Sequence, residues 1–145
     1  MYGPRSWGLQ GENRNGVEQD NKQAIVWWTK ASELGHAKAQ LRLGWWLMNG
    51  KSVVKKDEKA GMTWLLKAAD KGQPQAQYEA GVGLWKGKGV AQDLVQAHMW
   101  LSLAAEKDGF ENAKQYRDDV AKSLTPEQIA ESQRLAQEWT AKKKY

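Results

Sequence analysis

The chain has 145 residues, 41% hydrophobic and 27% charged, with no cysteine and a formal net charge of +5. That length holds one ordinary domain and not two; the lack of cysteine excludes disulfides, thiolate metal sites and cysteine nucleophiles, and no apolar run approaches the roughly 18 residues of a membrane-spanning helix. The charge is uneven, with 14 Lys plus Arg against 8 Asp plus Glu through Lys88 and 8 against 9 after it, which reads first as a solvated surface and second as a face for an acidic partner, while lysines scattered without aromatic clusters argue against nucleic acid.

The opening MYGPRSWGLQ lacks the basic and then apolar pattern of a secretory leader, which leaves a cytoplasmic protein or an exported one whose leader is gone. The compartment stays open. Residues 1–20 contain WGLQGENRNGVEQD, in which Gly8 and Asp20 precede Gly81 and Asp93 by 73 positions. This is the phase of the second half of a repeat, read as a degenerate half-repeat or cap, or as the remnant of a longer start. Such an edge is also where weak self-association is expected.

From residue 21 the chain repeats itself. WWTKASELGHAKAQLRLGWWLMNG, from Trp27, matches WLLKAADKGQPQAQYEAGVGLWKG, from Trp64: Lys30 pairs with Lys67, Gln40 with Gln77 and Gly44 with Gly81, each 37 apart. A third copy begins at WLSLAAEKDGFENAKQY, where Gly109 and Ala113 keep the spacing from Gly72 and Ala76. A period of about 20 to 50 residues denotes stacked units that bury their apolar faces against neighbours. The units run 21–57, 58–93 and 94–123, followed by a tail at 124–145.

Each unit reads as two helices. Ala24, Trp27, Trp28 and Ala31 at i, i+3, i+4 and i+7, and Ala97, Trp100, Leu101 and Ala104 in the third unit, give each first helix a buried stripe, so Trp27, Trp64 and Trp100 are assigned to the core. Gly35, Gly72 and Gly109 stop the first helices, and Pro74 opens a second one. The run GVGLWKGKGVAQD has the glycine and lysine of a phosphate loop but follows a helix, where the dipole is negative. It is read instead as a connector, with Gly87 and Gly89 at positive φ, Val90 turned inward and Asp93 capping the next helix with Gln96 in a capping-box spacing. Asp20 with Gln23 repeats that arrangement. In the tail, Thr125, Pro126 and Gln128 mark a helix start, and Ile129, Ala136 and Trp139 give this helix one apolar face that covers the last open repeat.

The segments AIVWWTKASELG, AKAQLRLG and GKGVAQD resemble the pattern of the Sel1-like repeat family, relatives of the tetratricopeptide repeats, over about residues 16–121. Departures are Gly61 for an expected alanine, Ser52 for a loop glycine, and a third unit without its LG and its glycine loop. The resemblance implies an all-α, α/α solenoid of helix-turn-helix repeats in a right-handed superhelix with a C-terminal capping helix. It further implies a scaffold that binds a protein or peptide without catalysis or cofactor, with the first helices lining the concave surface. The stripe left on those helices outside the core pattern is Ile25, Val26 and Thr29, then Met62, Thr63 and Leu66, then His98, Met99 and Ser102, too apolar for a solvated face. The competing assignment for Val26, Met62 and Met99 is gap-filling between repeats. Trp7, Trp45 and Trp85 occupy positions without a fixed preference and are candidate anchors for a partner. His36 and His98 have no serine or acid beside them in the sequence in a catalytic arrangement, and no acidic pair stands at metal-ligand spacing. An inhibitor or immunity protein that neutralises a toxin or enzyme by direct binding is the alternative to an adaptor.

Overall fold

Seven α-helices follow one another in the computed structural model, which describes residues 23–50, 55–107 and 109–144, with no strand among them. They are α1 (23–33), α2 (Ala37–Asn49), α3 (Glu58–Asp70), α4 (Pro74–Lys86), α5 (Leu94–Ala105), α6 (Glu111–Ala121) and α7 (Pro126–Lys144). Residues 1–22, and with them Trp7, Asp20 and the half-repeat, lie outside the described residues, as does Ser52. Among the described residues no helix is long and apolar enough to cross a membrane.

The local signals act where the sequence places them. The turn at Gly72 has φ 91° and those at Gly35 and Gly109 have 94° and 88°, a left-handed conformation that a Cβ disfavours. Asp57 and Asp93 accept from the backbone N–H of Ala60 and Gln96, at 3.1 and 3.0 Å, and so start α3 and α5. The exposed Gln96 returns no bond to Asp93, so the capping box is half made there. It is complete at α7, where the Gln128 N–H donates to Thr125 Oγ1 at 3.1 Å and the Thr125 N–H to Gln128 Oε1 at 2.9 Å. Val90 is half-buried against the core.

The helices pack most extensively as second helix on following first helix, α2 on α3 and α4 on α5. Gly44 and Gly61 explain the first of these pairs. A Cβ on Gly44 would stand 2.9 Å from the Gly61 carbonyl oxygen, and one on Gly61 would stand 2.8 Å from the Gly44 oxygen, so two backbones meet where side chains would hold them apart. The equivalent pair, Gly81 and Ala97, is looser, at 3.3 Å. Gly61, a departure from the repeat pattern, is therefore a close-approach residue.

A glutamine fastens each of the first two hairpins internally. Gln40 Nε2 donates to the Ser32 carbonyl at 3.0 Å, and Gln77 Nε2 to the Ala69 carbonyl at 3.2 Å, both buried. Each is a second donor to a carbonyl at the end of α1 or α3, since Ser32 O also accepts from the Gly35 N–H and Ala69 O from the Gly72 N–H, both at 3.0 Å. Lys114 stands in the third unit where the glutamine would be. There α4 and α6 are joined by aromatic rings: Tyr116 stacks on Tyr78 with centroids 5.9 Å apart and meets Trp85 at 5.4 Å. Burial, followed by the neighbouring Tyr116, pushes the Tyr78 hydroxyl up to about 12.

Two core assignments need correction. Trp27 is 67% exposed; among the described residues its ring is accompanied by the Lys30 ammonium, 5.6 Å from the centroid. Trp64 is half-buried, with Lys67 at 4.7 Å, and Trp100 alone of the three is fully buried. The difference comes from α7. Rather than adding a layer beyond α6, α7 closes the last repeat by lying on α5 and reaching the end of α3, and Trp139 covers Trp100.

Candidate functional site

The stripe expected to line a groove is split by the fold. On α1, Ile25 and Thr29 are half-buried and Val26 is 52% exposed. The Thr29 hydroxyl is spent on its own helix, donating to the Ile25 carbonyl at 2.7 Å. On α3, Thr63 is exposed, with its hydroxyl bonded to the Lys59 carbonyl at 3.0 Å, and Leu66 is half-buried. Met62, placed at the centre of the groove by sequence, has 0% exposure. An inner first helix packs on the second helix before it and on the one after it, so its buried arc is wider than one stripe and takes in Gly61, Met62, Leu65, Ala68 and Ala69. Met62 fills a core gap beside Gly83.

In the third unit Met99 is buried and Ser102 half-buried, while His98 is 5% exposed beneath α7. His98 Nδ1 lies 2.7 Å from Ser132 Oγ, and Ser132 is itself fully buried. Desolvation, then the Arg117 guanidinium, holds His98 below the usual imidazole range, and Asp118 opposes this in part. Thus a serine does stand beside a histidine, supplied by a helix 34 residues further on, which sequence proximity did not reveal. The hydroxyl has no exposure through which a substrate could reach it, and the contact serves to dock α7.

Around that contact the second face of α7 is put to use. Trp139 meets Trp100 edge-on, with centroids 6.0 Å apart. Its Nε1–H donates to Asp70 Oδ1 at 3.1 Å, and the Lys143 ammonium lies 3.3 Å from Asp70 Oδ2. Ser132, Ala136, Trp139 and Lys143, at i, i+4, i+7 and i+11, are the docking face, which adds Ser132 and Lys143 to the apolar positions read from sequence. A cleft of about 710 Å³ remains beside it, lined by His98, Ser102, Glu106, Arg117, Gln133 and Gln137. The signal for this arrangement is Leu103: first helices α1 and α3 carry Lys30 and Lys67 three residues after their tryptophans, whereas α5 carries a buried leucine. A helix whose apolar positions extend onto the side that carries lysine in α1 and α3 must be covered on that side as well.

Of the candidate aromatic anchors, Trp85 is half-buried against Tyr116 in the α4–α6 seam. Trp45 is 38% exposed and lines a second cleft, of about 380 Å³, with Lys38, Leu41, Arg42, Trp46 and Gln73. His36 is exposed and makes no side-chain capping bond to α2. Among the described residues no group of His, Asp and Glu is placed to hold a metal ion.

The model of the Sel1 repeat matches residues 1–36, 37–73 and 74–109, and its second and third windows pair α2 with α3 and α4 with α5. The chain belongs to the Sel1 repeat family. Members of this family are generally protein–protein interaction modules rather than catalysts. Among solved structures, the chain is similar to c5321, a protective antigen present in uropathogenic Escherichia coli strains and displaying an SLR fold, with a TM-score of 0.78 and 36% identity. That match covers 84% of this chain and 26% of the antigen, so the chain spans about a quarter of that relative. It is also similar to a Sel1 repeat protein from Oxalobacter formigenes, with a TM-score of 0.64 and 42% identity over 74% of this chain and 79% of the other. No curated protein matches the chain.

Proposed function

We propose that this Sel1 repeat chain is a non-enzymatic scaffold that holds a protein or peptide on the face formed by its first helices. The observation that carries this reading is the exposure of large apolar side chains there, Val26 at 52% and Trp27 at 67% on α1. The equivalent positions one repeat later, Thr63 and Trp64, are exposed and half-buried. The contact residues are then Ile25, Val26, Thr29, Thr63 and Leu66, with Trp27 added and Met62 removed because it is buried. An apolar rim of this kind is costly to leave in water and is suited to burial by a partner. Lys30 and Lys67, beside the tryptophans, favour a partner that brings carboxylates to the same face. The Trp45 cleft is a lesser candidate, because it lies on the second helices.

The test compares capture by the intact chain with capture by Val26→Glu and Leu66→Glu chains, using affinity pull-down with crosslinking and mass spectrometry. Both variants keep the helical circular dichroism signal and lose the same crosslinked protein. Retention of that protein by both variants would remove the first-helix face as the binding surface.

A further inference from the structure

The surface of α5 under α7 has features that a covering helix alone does not explain. Trp100 is buried, yet its Nε1–H has no acceptor, a cost that a well-matched neighbour would remove. The cleft of about 710 Å³ beside α7 shows that α7 does not fill the surface it lies on. Among the described residues of α7 only Ser132 is fully buried; Ile129, Leu135, Ala136 and Trp139 are half-buried, and both bonds to Asp70 are exposed. Exposed ion pairs of this kind contribute little. The face on which α7 lies continues onto α3, where Leu66 stands one turn before Asp70 on the same side.

We propose that the strip formed by α5 and the end of α3 is a binding site for an amphipathic helix of a partner protein, and that α7 is its resident occupant, displaced when the partner binds. The contacts of α7 define the chemistry of that helix. It presents a hydroxyl or small residue to His98, a small residue one turn later, a tryptophan between Trp100 and Asp70, and a base near Asp70, at the spacing i, i+4, i+7 and i+11. An acceptor side chain within reach of Trp100 Nε1 is the added contact by which such a helix outbinds α7. This inference rests on the reading of the first-helix face as a protein-binding surface and names the partner of its third-unit end.

Because α7 is tethered by the four residues 122–125, its effective concentration at the site is in the range of millimolar or above. A free helix therefore competes poorly until α7 is loosened. The probe is a fluorescent peptide with the sequence of residues 124–144, titrated into the full chain and into a full-length Trp139→Ala chain. At least tenfold tighter binding to the Trp139→Ala chain is expected, and a peptide carrying its own Trp139→Ala change should bind neither. Replacement of Ala136 in the peptide by glutamate should abolish binding as well. Equal affinity for the two chains, with helical content preserved, would overturn the proposal. Should Trp139→Ala lose its fold, Ala136→Glu in the full chain, a change at a half-buried contact of the docking face, provides the same comparison. A loosened chain that dimerises in gel filtration without any gain in peptide binding would also overturn it, in favour of exchange of α7 between copies. The Val26→Glu chain keeps this peptide response, so failure here and failure of the open α1 and α3 surface are read separately.

Discussion

Trp139 of α7 stands edge-on to Trp100 of α5, with ring centroids 6.0 Å apart, and its indole N–H reaches across to Asp70 at the end of α3. One side chain thus ties the trailing helix to two successive repeats. Truncating it in the Trp139→Ala chain removes an aromatic pair worth about 0.5 to 1.5 kcal/mol together with half-buried apolar area, and the expected loss is about 1 to 3 kcal/mol. Urea denaturation followed by far-UV circular dichroism measures it. An unchanged midpoint would mean that α7 is not held through this residue.

The approach of Gly44 to Gly61 makes a second prediction. Alanine in a helix interior gains about 1 kcal/mol over glycine, but at position 61 its Cβ would meet backbone atoms of Gly44 and Met48 at 2.8 and 2.9 Å. Gly61→Ala is expected to destabilise the chain by about 1 to 3 kcal/mol. Gly81→Ala should be milder, because there the nearest backbone atom is 3.3 Å away and the closer atoms belong to the Leu101 side chain. Thermal melts of the two variants side by side decide the order.

The buried glutamines allow a test by deletion. In Gln77→Leu the Ala69 carbonyl keeps the Gly72 N–H at 3.0 Å but loses its side-chain donor, an expected cost of about 0.5 to 1.5 kcal/mol. Hydrogen exchange should quicken at the α3–α4 turn and remain slow at the equivalent turn held by Gln40. Equal acceleration at both turns would show that the two hairpins do not fasten independently.

His98 links docking of α7 to pH. Its folded value is lowered, by burial first and by Arg117 second, so the unfolded chain binds more protons than the folded one as pH falls below about 6.5. Stability from this group is complete above that pH and is lost on acidification towards the folded value. Between pH 7.5 and 5.5 the parent chain should lose more stability than His98→Gln, in which the titrating group is gone; parallel profiles for the two would exclude His98 as the cause. Glu106 just past the end of α5, Arg117 and Asp118 of α6 and the uncharged Ser132 and Gln133 of α7 are common to both chains.

The architecture was legible in the sequence because its determinants are local. Gly72, Pro74, Asp93 and the pair Thr125 and Gln128 each act within a few residues, and the 37-residue spacing states that the units stack. The surface was less legible because it depends on how many neighbours each helix has. Met62 belongs to a helix clasped from two sides, whereas its counterpart Ile25 is on a helix packed on α2 among the described residues, and the same repeat position is buried in one and half-open in the other. Trp27 and Trp100 diverge for a related reason: α7 returns over one and not the other. Leu103, in place of the lysine found at 30 and 67, is the trace of that return in the sequence, and it has meaning only once α7 is known to lie there.

On its outer side α6 shows Glu111, Asn112, Lys114, Gln115 and Asp118 to solvent, a polar surface on which no further hairpin can stack. Growth of the array by tandem duplication is thereby polarised. New rungs fit ahead of α5, at junctions like those of α2 with α3 and α4 with α5, and the cover that α7 gives α5 is kept each time. The ladder can be lengthened from one end while its stop remains fixed.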